Sequence, residues 1–174
     1  TSSSFAGFNS GCLNNWDKDQ VHGISSQQVA QLTPEAISGL STALKGITGE
    51  MCSGFYDAQV AQLYKYSCAY LKSDCFSFLT ANATSGFTSY CVSNFDASQV
   101  HGLGPNQMAA FSPAAFAGWT SKALASVQEN ACSAFKASQI EMLYKYSCAG
   151  LVRQCLSKIV PQSFSGFTSD CISN

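Results

Sequence analysis

Charge is scarce in this chain: nine basic and ten acidic residues are spread over 174 positions, for a net charge of −1. That balance excludes the basic stripe a nucleic-acid surface needs. No apolar run is long enough to span a bilayer. Histidine occurs only at His22 and His101, each beside a glycine and far apart in sequence. There is no close cysteine pair and no Cys-His cluster of the kind zinc requires, and Asp17, Asp19 and Asp96 form no shared metal motif. Paired catalytic carboxylates, a nucleophile elbow and a phosphate-cradling glycine loop are all missing. The sequence therefore predicts no catalytic site, no metal and no cofactor. Thr1 does not open a signal peptide, so any such peptide is expected to have been removed or to lie outside these residues.

What the chain has in abundance is repetition. From Thr1 onward it divides into twenty-two octapeptides, each carrying an apolar residue at its fifth and eighth positions. The eighth position runs through Phe8, Trp16, Ile24, Leu32 and Leu40 to Ile159 and Phe167 without a polar residue. The octad 41–47 is one residue short, and Thr84 is the only polar side chain at the other apolar position. An i, i+3 apolar pair fits a helix and not a strand. The first position is usually Ser, Thr, Asp or Asn, the residues that cap helix N-termini. All four prolines, Pro34, Pro105, Pro113 and Pro161, take the second position, where a missing N–H is harmless. Each octad thus predicts one short helix, too short to stand alone and dependent on its neighbours.

Alternate octads differ, because one type ends in a glycine before its apolar anchor, as in Ser38-Gly39-Leu40 and Ala117-Gly118-Trp119. Such a glycine permits close backbone approach or a left-handed helix end. The alternation predicts a sixteen-residue unit, two short helices per turn of an all-α solenoid. A longer period of about eighty residues lies above it: QVHG recurs at 20–23 and 99–102, and YKYSCA at 64–69 and 144–149. Residues 12–90 and 91–170 are read as two superunits, with 1–11 and 171–174 belonging to adjoining copies. With no linker between them, residues 1–174 are expected to form one continuous solenoid. Neither end shows a polar cap, so the ends are expected to be cut from a longer array or covered by other chains.

Nine cysteines in so neutral a chain indicate an oxidising compartment. Cys52 and Cys68 are sixteen residues apart, as are Cys75 and Cys91, Cys132 and Cys148, and Cys155 and Cys171. Two helices per turn would stack these pairs and predicts those four disulfides. The rival, Cys52 with Cys75 and Cys68 with Cys91, requires three octads per turn. Cys12 is left over, its partner expected sixteen positions earlier; pairing in trans with Cys155 or with another Cys12 is the alternative. Asn82-Ala83-Thr84 is a glycosylation sequon, and the chain is expected to be secreted or displayed at a surface.

Tyr64, Lys65 and Tyr66, with their repeat Tyr144, Lys145 and Tyr146, occupy positions otherwise used by polar caps. They form a possible contact patch, since amphipathic aromatics are favoured at interfaces. Tyrosines packed on the adjacent turn are the alternative. The stretches 32–40, LTPEAISGL, and 111–119, FSPAAFAGW, resemble the short-helix repeats of the mesothelin, stereocilin and otoancorin group. The resemblance implies an extracellular, glycosylated, superhelical protein of adhesion or gel attachment, and it carries over no functional residue.

Three functions are compatible with these features. The first is a non-enzymatic extracellular structural protein of a matrix, surface layer or filament, associating end to end with copies of itself or with other matrix components. The second is a secreted or surface module binding a glycan or protein. The third is a secreted enzyme whose site carries no sequence motif.

Overall fold

The computed structural model describes residues 2–64 and 67–173. Eighteen short α-helices and four 3₁₀ segments follow one another, one per octad, and no strand occurs among the described residues. Most α-helices are four residues long, and none exceeds six. The local rules act as expected. Asn9, Asp17, Ser25, Thr33, Thr80, Thr88, Asp96, Ser112, Thr120 and Thr168 each accept a backbone N–H of the helix they open. Pro34, Pro105, Pro113 and Pro161 are each the first residue of their helix. The short octad winds as the 3₁₀ segment Thr42–Gly46, the tighter helix that three residues per turn allows.

Every helix packs against the helix three places further along, and no other pair brings its backbones so close. Asp57–Val60 packs on Ala81–Ser85, which packs on Pro105–Ala110, which packs on Glu129–Cys132. The chain is therefore a coil of three helices per turn, forming three parallel columns. The stacking continues unchanged past residues 90 and 91, since Ser73–Phe78 packs on Ala97–His101 and Ser89–Val92 on Pro113–Phe116.

This corrects the sixteen-residue turn to one of about twenty-four. The alternation of octads runs up the stack and not around it. With an odd number of octads per turn, a period of two places glycine on every second turn of a column. Gly54, Phe78, Gly102, Ser126 and Gly150 follow one another up one column in this way. The glycines serve close approach. A Cβ on Gly118 would lie 2.1 Å from the Ser89 carbonyl oxygen of the turn below, and one on Gly150 would lie 2.1 Å from that of Ser121. The left-handed alternative fails, because no glycine among the described residues has a positive φ.

The two apolar rows fill the centre. Phe76, Phe87, Phe95, Phe111, Phe116, Trp119 and Phe135 form one continuous aromatic stack, with neighbouring centroids 4.9–6.4 Å apart. Thr84 is buried among apolar neighbours, and its hydroxyl is satisfied by donating to the Thr80 carbonyl at 2.9 Å.

Buried amides tie one turn to the next. Gln59, Gln99 and Gln139 are at most 2% exposed. Gln99 Oε1 accepts the Asp96 N–H at 2.9 Å, while its Nε2 donates to the carbonyls of Cys68 and Leu71 at 2.9 and 2.5 Å. Gln59 does the same with Val29 and Leu32, and Gln139 with Met108 and Phe111. Ser147 and Ser163 hydroxyls donate to the carbonyls of Trp119 and Phe135. Of these carbonyls, Cys68 and Val29 also accept the N–H of Leu71 and Leu32, whereas Leu71 and Leu32 lie past the end of their helices, where intrahelical donors run out. Gln99→Leu would strand the Leu71 carbonyl and the Asp96 N–H, and should lower the unfolding free energy by about 1–3 kcal/mol in urea titration.

Candidate functional surfaces

The disulfides follow the three-per-turn geometry and correct the expected pairing. Cys52 bonds Cys75, Cys68 bonds Cys91, Cys132 bonds Cys155 and Cys148 bonds Cys171, each at a separation of 23 residues. Their Cα atoms are 5.3–5.5 Å apart. The predicted pairs Cys52–Cys68, Cys75–Cys91, Cys132–Cys148 and Cys155–Cys171 join octads two apart, which lie in different columns. Each observed bridge joins a fifth-position cysteine to a fourth-position cysteine directly above it in one column. Three columns are braced: Cys52–Cys75 and Cys148–Cys171 share one, while Cys68–Cys91 and Cys132–Cys155 take the other two.

Cys12 is exposed and unbonded. It holds a fourth octad position, and so does Cys155, whereas no observed bridge joins two residues of that position. Its matching residue is a fifth-position cysteine, so the trans pair with Cys155 does not fit the coil's own rule.

Asn82 is exposed on the helix Ala81–Ser85. His22 Nδ1 lies 3.3 Å from the Gly46 carbonyl oxygen, and the His101 carbonyl accepts from Gln128 Nε2. The two histidines stand in different columns. Among the described residues neither ring is hydrogen-bonded to a carboxylate or a serine, and no group of three His, Cys, Asp or Glu gathers around a common point. The one ionisable group with a clear local cause for a lowered pKa is Asp96. The Ser98 hydroxyl and the Gln99 N–H both donate to its Oδ1, holding the carboxyl below its usual range. Tyr56 moves the other way, its phenol raised by burial and then by Glu35 and Asp57.

The tyrosine motif divides by side. Tyr64, Tyr144 and Tyr146 are each more than half exposed. Tyr144 and Tyr146 rings meet edge to face at 5.2 Å, and Lys145 Nζ sits 4.8 Å from the Tyr146 centroid. Lys65 and Tyr66 lie outside the described residues. The serines of both copies, Ser67 and Ser147, turn inward and are buried. Ten octads separate Tyr64 from Tyr144, three turns and one further octad at three per turn, so the two patches stand in different columns. The buried glutamines were missed by the sequence reading. Their capping role was legible, since glutamine three residues after the first octad position is a capping-box signal; their reach to the previous turn was not.

Two open grooves line the outer surface of these columns. One, of about 790 Å3, is lined by residues that include Ser73, Asp74, Ser77, His101, Ser126 and Gln128. Asp74 is committed to backbone, accepting the Gly49 N–H at 3.2 Å and the Cys75 N–H at 2.9 Å. The other runs past Asp57, Thr88 and Tyr90. Among the described residues no helix is long and apolar enough to cross a membrane. No family model matches the chain, and neither a characterised protein nor a solved structure matches it.

Proposed function

We propose that this chain is a non-enzymatic extracellular structural repeat protein whose coils associate end to end in a matrix, surface layer or filament. Four disulfides, two bracing residues 52–91 and two bracing residues 132–171, suit an oxidising exterior. The observation that carries the reading is the regular stacking itself: each level packs on the next through an apolar face of the same kind. One such face holds a hollow of about 380 Å3 lined by Leu151, Leu156, Phe164, Phe167 and Ile172. Their counterparts one superunit earlier, Leu71, Phe76, Thr84, Phe87 and Val92, are buried beneath the following turn. Here Phe164 is 48% and Ile172 74% exposed. A further turn of the same kind, from this polypeptide or from another molecule, completes such a surface; where another molecule supplies it head to tail and the rotation does not close, an open filament results. Glycosylation at Asn82 and shared ancestry with the mesothelin, stereocilin and otoancorin group belong to the same proposal, the latter resting on the rhythm at 32–40 and 111–119.

The purified chain should form linear species whose mass rises with concentration in sedimentation velocity. Ile172→Asp should weaken them by placing a charge in the hollow, and Cys12→Ser should weaken them if a trans disulfide contributes. A chain that remains monomeric at high concentration, with Cys12 a free thiol, contradicts this function.

A second reading, a binding or adhesion module, is favoured by the exposed Tyr144–Tyr146 pair. Because the tyrosine patches face different columns, a partner would be bridged between molecules and not laid flat along one face.

A further inference from the structure

Gly11, Tyr90 and Asp170 hold the same place in three copies of the repeat, immediately before Cys12, Cys91 and Cys171. A glycine and an aspartate serve there equally well, so the tyrosine has no structural task common to the position. Tyr90 is 73% exposed and adds nothing to the core.

It stands instead over a cleft. One part, about 480 Å3, is lined by Asp57, Ser85, Thr88, Ser89, Tyr90 and Ser112. The adjoining part, about 440 Å3, is lined by Gln62, Leu63 and Tyr64, and again by Ala61, Thr88 and Tyr90. The shared residues make the two a single trough flanked by two exposed tyrosines. Its floor depends on Gly86, whose missing side chain lets the chain close on the Asp57 carbonyl, 2.0 Å from where a Cβ would stand. The second copy has no equivalent: Glu141 and Met142 replace Ala61 and Gln62, and Asp170 replaces Tyr90. A trough that breaks the repeat symmetry is where selection for a ligand would show.

From this chemistry we infer that the trough binds a neutral oligosaccharide. A pyranose ring offers a face of C–H groups, which packs on the flat phenol rings, and a rim of hydroxyls. Four hydroxyl side chains, the Gln62 amide and the Asp57 carboxylate supply donors and acceptors for that rim. Among the described residues no Lys or Arg lines either part, which favours a neutral ligand over phosphate, sulfate or uronate. The trough is open along its length, which suits a stretch of chain and not a single sugar. This inference rests on the fold and the trough alone and is independent of end-to-end assembly.

The test is isothermal titration of the disulfide-intact chain with cellohexaose, chitohexaose and laminarihexaose in turn. Saturable binding to at least one is expected. Tyr90→Asp, which installs the second copy's own residue, should weaken it by about tenfold or more with an unchanged melting transition. Tyr64→Ser should act in the same direction, while Tyr144→Ser, in another column, should leave binding intact. No saturable binding to any of the three, or binding that survives both Tyr90→Asp and Tyr64→Ser, overturns the inference.

Discussion

Replacing Cys68 and Cys91 together by alanine should lower the unfolding free energy by about 3 kcal/mol, measured by urea titration with the other bridges intact. The bridge closes a loop of 23 residues, and freeing that loop restores conformational entropy to the unfolded chain. Both cysteines are fully buried, so the lost sulfurs also leave a small void. The effect should be felt locally first, because in a coil each level touches only the levels above and below. Hydrogen exchange should therefore quicken at Cys68–Tyr70 and Ser89–Val92 before it quickens near Ser169–Ile172. A loss below about 1 kcal/mol would mean that the bridge braces a level already held by other contacts.

Phe116→Ala should cost about 3–5 kcal/mol, the largest effect expected of a single substitution. Phe116 is 0% exposed and packs its ring against Phe111, Trp119 and Phe135 at 5.5–6.2 Å. Those neighbours belong to three different octads, so collapse around the void would have to move more than one turn. Rigid surroundings keep the cavity open, which places the cost toward the upper end of that range. A loss under about 1 kcal/mol would mean that the fifth-position row is not core.

The octad rhythm, the caps, the proline positions and both core rows were legible because each is a local property of eight residues. Ser112 caps, Pro113 starts and Phe116 and Trp119 bury, and nothing distant is needed to see it. The number of helices per turn was not legible in the same way. It depends on the bend between one helix and the next, and that bend is held by long-range pieces: Gln99 reaching the carbonyls of Cys68 and Leu71, and Gly118 admitting the backbone of Ser89. A period of two in the glycines suggested two helices per turn, whereas an odd turn converts the same period into alternation between levels. The cysteines did hold a clue. Cys52 and Cys68 share the fifth octad position and Cys75 and Cys91 the fourth, and two side chains at the same position of stacked helices point alike and not at each other. Position five and position four, one residue out of step, are the pair that meets.

The exposed surfaces were legible only in part. Tyr64, Tyr144 and Tyr146 are exposed, one of the two arrangements the sequence left open, but the trough beside Tyr90 joins octads distant in sequence, Asp57 and Ser112 among them. Only the three-column arrangement brings those residues together.

Non-reducing peptide mapping of the native protein tests the three-helix turn most directly. Proteolysis without reduction should release a fragment linking Cys52 to Cys75 and another linking Cys68 to Cys91, with the corresponding pairs Cys132–Cys155 and Cys148–Cys171. Fragments linking Cys52 to Cys68 and Cys75 to Cys91 would place two helices in each turn and contradict the coil described above.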